Sequence, residues 1–262
     1  MKQPGTTGSE RFNAPSFCHW MLISTALAAN VLATDAAFPL PSSLKPESQH
    51  RDARVYDWDH RHQEILDRNR SVKPDVVFIG DSITHFWGGA PSDFHGRGED
   101  SWKRMVGSHV ASNLGFGFDY IDNAYYRVLN GELDGIAPKV IVVLLGTNNL
   151  GHRKDSPESC ADNMRAFLDL LRRKSRDSKI LLLGILPRGD AGLNQVIFAT
   201  NRLYSKMADG KQIYFDDVSE AYLPAGATAV SKDLMPDGVH PSAKGYELLG
   251  DNIKTQLDRL GF

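Results

Sequence analysis

Cysteine is almost missing from this chain, with two among 262 residues, Cys18 and Cys160. An excess of charge of one sign is missing as well, since 30 Lys and Arg face 32 Asp and Glu for a net charge of −2. Nucleic-acid binders normally carry a basic footprint, so no nucleic-acid partner is expected. There is no internal repeat, which excludes solenoid architectures. Apolar runs long enough to span a bilayer are lacking too. The longest candidate, residues 20–32, is short for a span. Lys2, Arg11 and His19 precede it, and Val31-Leu32-Ala33 follows signal-peptidase spacing. That order reads as a secretory signal cleaved near Ala33 rather than an uncleaved anchor. The expected protein is therefore exported, periplasmic or extracellular, with no stable membrane anchor after processing. Cys18 falls in the signal, so the mature chain keeps Cys160 alone and has no intrachain disulfide.

What is present is a chain with 41% apolar residues, enough for the core of one moderately large domain. Three regions are expected: a signal at 1–33, a linker at 34–50 and one folded domain at 51–262. The linker reading rests on Pro and Ser with few large apolar groups. Residues 51–71 turn charged and helical, with Trp58, Ile65 and Leu66 as the inner face. Asp57, Asp59, His60 and His62 lie there as well. Residues two apart do not share a helix face, so they read as a solvated surface and no metal site is expected.

Beyond that point strands and helices alternate. Strands are expected at 75–79, 110–114, 139–145, 179–186 and 212–216. The third and fourth are apolar on both faces, as strands covered by helices on each side must be. A helix at 156–174 starts with Ser156 as cap and Pro157 in the first turn. It presents Met164, Phe167, Leu168 and Leu171 as one stripe, carries Cys160, and ends on Arg172-Arg173-Lys174, where cations complement the helix dipole. The last helix repeats that periodicity through Tyr246, Leu249, Ile253, Leu257 and Leu260. This pattern predicts an α/β fold, a three-layer α/β/α sandwich on a five-stranded parallel sheet with flavodoxin-like strand order.

The chemistry gathers where such a sheet exposes its strand ends. Val76-Val77-Phe78-Ile79 stops at Gly80-Asp81-Ser82, which leaves Ser82 at the carboxyl end of a strand. Asn113-Leu114-Gly115-Phe116-Gly117 follows the second strand, and Gly146-Thr147-Asn148-Asn149 the third. Asp237-Gly238-Val239-His240 precedes the last helix. All these ends lie on one edge of a parallel sheet. Together they supply a serine nucleophile, a histidine base and an orienting aspartate. Attack on an ester carbonyl also needs preplaced hydrogen-bond donors for the oxyanion. The backbone N–H groups of Ser82 and Gly115 and the side-chain amide of Asn148 are the candidates.

These four blocks resemble the SGNH, or GDSL, hydrolases. The likeness covers about residue 75 to the C-terminus. Within that superfamily, the stretches at 130–143, Gly146-Thr147-Asn148-Asn149 and Leu186-Pro187-Arg188-Gly189 resemble the catalytic-subunit branch of the platelet-activating-factor acetylhydrolases. The resemblance implies a flavodoxin-like fold, no cofactor, and release of short acyl groups, often acetyl. It makes Ser82 the nucleophile, His240 the base, Asp237 its partner, and Ser82, Gly115 and Asn148 the oxyanion donors. One departure stands out. Where that branch carries Gly-x-Gly-Gly-Asp-x-Thr, this chain has Gly115-Phe116-Gly117-Phe118-Asp119-Tyr120-Ile121, with Phe118 in place of a glycine. The expected consequence is an altered pocket wall with Gly115 untouched.

The expected substrate is a small-molecule or carbohydrate ester, with acetylated carbohydrate favoured by the signal, the acetylhydrolase-like core and the change at Phe118. Asp81, Phe116, Phe118 and His85 are the candidate substrate contacts. His85 also fits a structural role. Trp87, Trp102, Tyr125 and Tyr126 are either sugar-stacking surfaces or core. The alternatives are a general short-chain carboxylesterase, an arylesterase or a phospholipid acetylhydrolase. From another class comes a non-catalytic carbohydrate-binding protein on the same scaffold.

Overall fold

The computed structural model describes Met1, residues 39–91 and residues 96–262. The expected signal and its cleavage point lie outside the described residues. Residues Leu40–Phe262 make one compact unit. Its strands are β1 (Val76–Gly80), β2 (Ala111–Gly115), β3 (Val140–Leu144), β4 (Lys179–Leu183) and β5 (Ile213–Asp216). All pairings are parallel, in the order β2-β1-β3-β4-β5. This is the expected flavodoxin-like sheet. Its switch point, where ligands of open α/β sheets bind, falls between β1 and β3.

The helices are α1 (Trp58–Ser71), α2 (Ser82–His85), α3 (Glu99–Val106), α4 (Ile121–Arg127), α5 (Pro157–Lys174), α6 (Ala191–Ser205), α7 (Ser219–Tyr222) and α8 (Ala243–Arg259). Alternation along the strands feeds two cores. Val77, Ile79, Ile141, Val143, Ile180 and Leu182 face the layer containing Ile65 of α1 and Phe167 of α5. Val76, Phe78, Val140, Val142, Leu181 and Leu183 face Met105 of α3 and Leu249 and Ile253 of α8. Burying one such aliphatic side chain contributes roughly 1.5–3 kcal/mol. Trp87, Trp102 and Tyr125 are buried core residues, and Tyr126 packs against that core from a half-buried position. Ser156 caps α5 by accepting from Ser159 N at 3.1 Å. Cys160, buried in α5, meets Tyr204 Oη at 3.3 Å. Burial pushes its thiol up to about 12, so it is inert packing.

Two expectations are corrected. Helix α1 begins at Trp58, not near Arg51, because the Asp57 carboxylate accepts from His60 N at 3.0 Å and caps it there. The part of the expected linker from Leu40 to His50 is packed. Leu44 is buried, Ser43 Oγ donates to Asn163 Oδ1 at 2.7 Å, and Lys45 N donates to Asp122 Oδ1 at 2.8 Å. Gln49, also buried, donates to Gly117 O at 2.9 Å and Asp119 Oδ1 at 3.0 Å. Polar composition suggests a free linker, yet here the polar groups have found buried partners. Among the described residues no helix is long and apolar enough to cross a membrane.

Candidate active site

Strand β1 ends at Gly80, and Asp81 turns the chain into α2 by accepting from Ile83 N at 2.9 Å. Ser82 heads that helix, so its N–H has no intrahelical acceptor. Asp81 is buried, and burial raises its carboxyl to about 7. It is therefore a capping residue beneath the serine, not the substrate contact expected from the sequence.

The second half of the site is one short turn before α8. The Asp237 carboxylate accepts from Val239 N at 2.9 Å and His240 N at 2.8 Å through Oδ1. Its Oδ2 lies 2.8 Å from His240 Nδ1. Gly238 supplies the left-handed residue this turn requires, with φ of +76°. Its carbonyl accepts from Gly189 N at 2.9 Å. The other ring nitrogen, His240 Nε2, lies 2.9 Å from Ser82 Oγ, across 158 residues of sequence. Serine, imidazole and carboxylate thus form one continuous hydrogen-bonded line.

The electrostatics suit proton transfer from the serine. Burial lowers the His240 pKa, with Asp237 opposing and Arg97 and Arg188 adding to the fall. The ring is then neutral at neutral pH and able to accept a proton. Burial works against ionisation of Asp237, but hydrogen bonds from His240 and Val239 prevail and hold it at about 2. It remains a carboxylate wherever His240 titrates.

The expected oxyanion donor at Gly115 is not available. Its N–H donates to Asn113 Oδ1 at 2.8 Å, and a Cβ there would stand 2.3 Å from His85 N. Gly115 is a contact point between β2 and α2. The unspent amide lies three residues on. In the turn Phe116–Asp119, closed by Asp119 N donating to Phe116 O at 3.2 Å, Phe118 holds φ of +62°. Among the described residues its N–H has no acceptor. The sequence did carry a signal for this position, because Phe118 stands where the resembling branch has glycine, the residue that takes positive φ most readily.

Asn148 follows β3 and donates from Nδ2 to Asp119 O at 3.1 Å, which leaves its second amide hydrogen free. That contact sets Asn148 one residue away from the Phe118 amide. The turn is braced from below. The buried Asp119 carboxylate accepts from Arg127 Nε at 2.8 Å, Trp58 Nε1 at 2.9 Å and Gln49 Nε2 at 3.0 Å. Arg127 also pairs with buried Glu132. Arg61, buried as well, donates to Gly115 O at 2.8 Å and Asn113 O at 3.1 Å.

Two further expected contacts lie inside the fold. Phe116 is fully buried, with Arg127 stacked 3.9 Å from its ring centre. His85 is buried at the end of α2, where its Nδ1 accepts from Gly117 N at 3.2 Å. Phe118 alone of the four is half-exposed, its ring edge-on to His152 at 5.2 Å. Among the described residues, no three or more His, Cys, Asp or Glu side chains are grouped to hold a metal ion.

Known proteins agree with this architecture. The chain is 29% identical over 206 residues to platelet-activating factor acetylhydrolase IB subunit alpha1 of Homo sapiens, covering 78% of this chain and 84% of that one. A solved Streptococcus pneumonia protein, described as a candidate platelet activating factor, superposes with a TM-score of 0.64 at 25% identity, covering 76% and 92%. A variant of an acetyl-xylooligosaccharide esterase from Geobacillus shares the fold, with a TM-score of 0.58 at 19% identity over 72% and 94%. The family described as GDSL-like Lipase/Acylhydrolase matches residues 78–248. With most of its length matched and a serine hydrogen-bonded to an imidazole at the switch point, the chain belongs to the GDSL-like lipase/acylhydrolase family and is a carboxylic ester hydrolase.

Proposed function

We propose that this chain is an exported serine esterase that removes acetyl or similarly short acyl groups from O-acetylated carbohydrate. Ser82 Oγ attacks the ester carbonyl while His240 Nε2 takes its proton, and Asp237 fixes the ring tautomer and stabilises the imidazolium. The oxyanion forms against the N–H groups of Ser82 and Phe118 and the free amide hydrogen of Asn148. His240 passes its proton to the departing alcohol, leaving an acyl ester on Ser82. Water, deprotonated by His240, then attacks that ester and releases the carboxylic acid.

The single observation that carries this reading is the line from Ser82 through His240 to Asp237, with contacts of 2.9 Å and 2.8 Å. The acetyl preference draws on two relatives, an acetylhydrolase and an acetyl-xylooligosaccharide esterase. Export draws on the signal-like residues 1–33. A second reading, a phospholipid acetylhydrolase or general short-chain esterase, has the 29% identity to the platelet-activating factor enzyme in its favour. Kinetics on acetylated xylan, acetylated monosaccharides, p-nitrophenyl esters of increasing acyl length and an acetylated phospholipid separate the two. Rates that rise with acyl length go against the acetyl reading. Ser82→Ala should cut kcat by roughly 10⁴-fold or more, and a variant close to wild type refutes the nucleophile.

A further inference from the structure

The strand order lays out a row of positions along the carboxyl edge of the sheet. Asp52, ahead of α1, stands over the β2 end, with its Oδ2 2.7 Å from where a Cβ on Gly117 would be. Ser82 follows β1 and Asn148 follows β3. Arg188 belongs to the loop after β4, and its Nη1 lies 2.0 Å from where a Cβ on Gly151 would be. Gly189, next to it, packs on Gly238 of the histidine turn. Asp52 and Arg188 therefore stand on opposite sides of the reactive serine.

Both are half-buried, and both have fixed backbones. Asp52 O accepts from Val55 N at 2.8 Å. Arg188 N donates to Asn194 Oδ1 at 2.7 Å, and its carbonyl accepts from Asn194 Nδ2 at 2.8 Å. Their charged heads are different. Among the described residues neither the Asp52 carboxylate nor the Arg188 guanidinium has a hydrogen-bond or ion-pair partner. Partly desolvating a charge without pairing it is costly, and the reaction scheme above uses neither group. Burial accordingly disfavours the charged form of each, raising Asp52 and lowering Arg188.

The balance of charge indicates what fills the space between them. Arg188 and Arg97 both act on His240, where Asp237 opposes them, and His240 in turn acts on Asp52. With the Asp52 carboxylate over one side of the serine and the Arg188 guanidinium over the other, the site offers one charge of each sign. A neutral polyol satisfies it, because hydroxyls donate to a carboxylate and accept from a guanidinium. The half-exposed Phe118 ring, set edge-on to His152, offers an apolar face to the C–H side of a sugar.

We propose that Asp52 and Arg188 hold the alcohol half of the substrate, a sugar, through its hydroxyls from two sides of Ser82. This assignment rests on the carbohydrate reading above. The test compares wild type with Asp52→Asn, Arg188→Met and the double variant, on acetylated xylooligosaccharide and on p-nitrophenyl acetate. For each single variant, kcat/KM on the acetylated sugar should fall at least tenfold further than on p-nitrophenyl acetate, mostly through KM. Inhibition of p-nitrophenyl acetate hydrolysis by free xylooligosaccharide should weaken in step. If Arg188→Met does not fold, Arg188→Lys, which loses the planar fork, carries the same comparison. Equal falls on both substrates, or no fall on either, overturn the assignment while the esterase reading stands. A preference for anionic esters that vanishes with Arg188 alone also overturns it. Wild type that cleaves p-nitrophenyl acetate but no acetylated sugar removes the carbohydrate reading itself.

Discussion

Ser82 and His240 are held by two different kinds of structure. The serine stands at the tip of a strand buried on both faces, and the turn beside it is tied down by nearby Arg127 and by Trp58, Gln49 and Arg61 from far earlier in the chain. The Asp237–His240 turn is largely self-contained, closed by hydrogen bonds spanning two or three residues, with Asp237 exposed. Damage to the brace under Asp119 should spread into the fold, whereas damage to the histidine turn should stay in the chemistry.

The sharpest way to break this contrast is Arg127→Ala, which strands two buried carboxylates, Asp119 and Glu132. It should cost about 3–5 kcal/mol in urea unfolding. A loss below about 1 kcal/mol would show that the brace carries little. Asn148→Ala should lower kcat by roughly 10²- to 10³-fold with the melting temperature little changed. An effect on KM alone would make it a binding residue rather than an oxyanion donor. Gly238→Ala forces an L-residue into positive φ, which costs roughly 1–2 kcal/mol. Because the turn is closed by its own short hydrogen bonds and can relax locally, the expected readout is about a tenfold loss in kcat/KM, with the unfolding free energy falling by no more than about that 1–2 kcal/mol. A large drop in global stability would erase the distinction between the two sides.

The smallest effect is in pH dependence. In the proposed scheme His240 must be neutral to accept the serine proton, and its pKa is lowered from 6.5. Activity is therefore full above that value and is lost as pH falls through a midpoint below it. Asp237, held at about 2, stays ionised throughout. Arg97→Gln removes one cation acting on the ring and should move the midpoint towards higher pH. A midpoint above 6.5 in wild type would contradict the burial of the imidazole.

The sheet was legible because β1, β3 and β4 are apolar on both faces and punctuated by polar strand ends. The serine and the histidine turn were legible because each occupies a short contiguous stretch after the expected element. The oxyanion turn was not. Whether Gly115 or Phe118 keeps a free N–H depends on where the Asn113 side chain points, and Arg61, 54 residues away, fixes the neighbouring carbonyl. His85 and Phe116 misled for a related reason. Nearness in sequence to Ser82 or Gly115 says nothing about which side of a two-faced sheet a ring occupies.

The Gln49 clasp has a practical meaning for anyone who shortens this protein. One amide nitrogen reaches both the Gly117 carbonyl and the Asp119 carboxylate. A version begun at Arg51, as the composition invites, would retain every reacting group yet lose the strap beneath the loop that presents Phe118. Such a trimmed enzyme should melt at a lower temperature and turn over poorly, and a preparation that is still folded would be mistaken for the wrong enzyme.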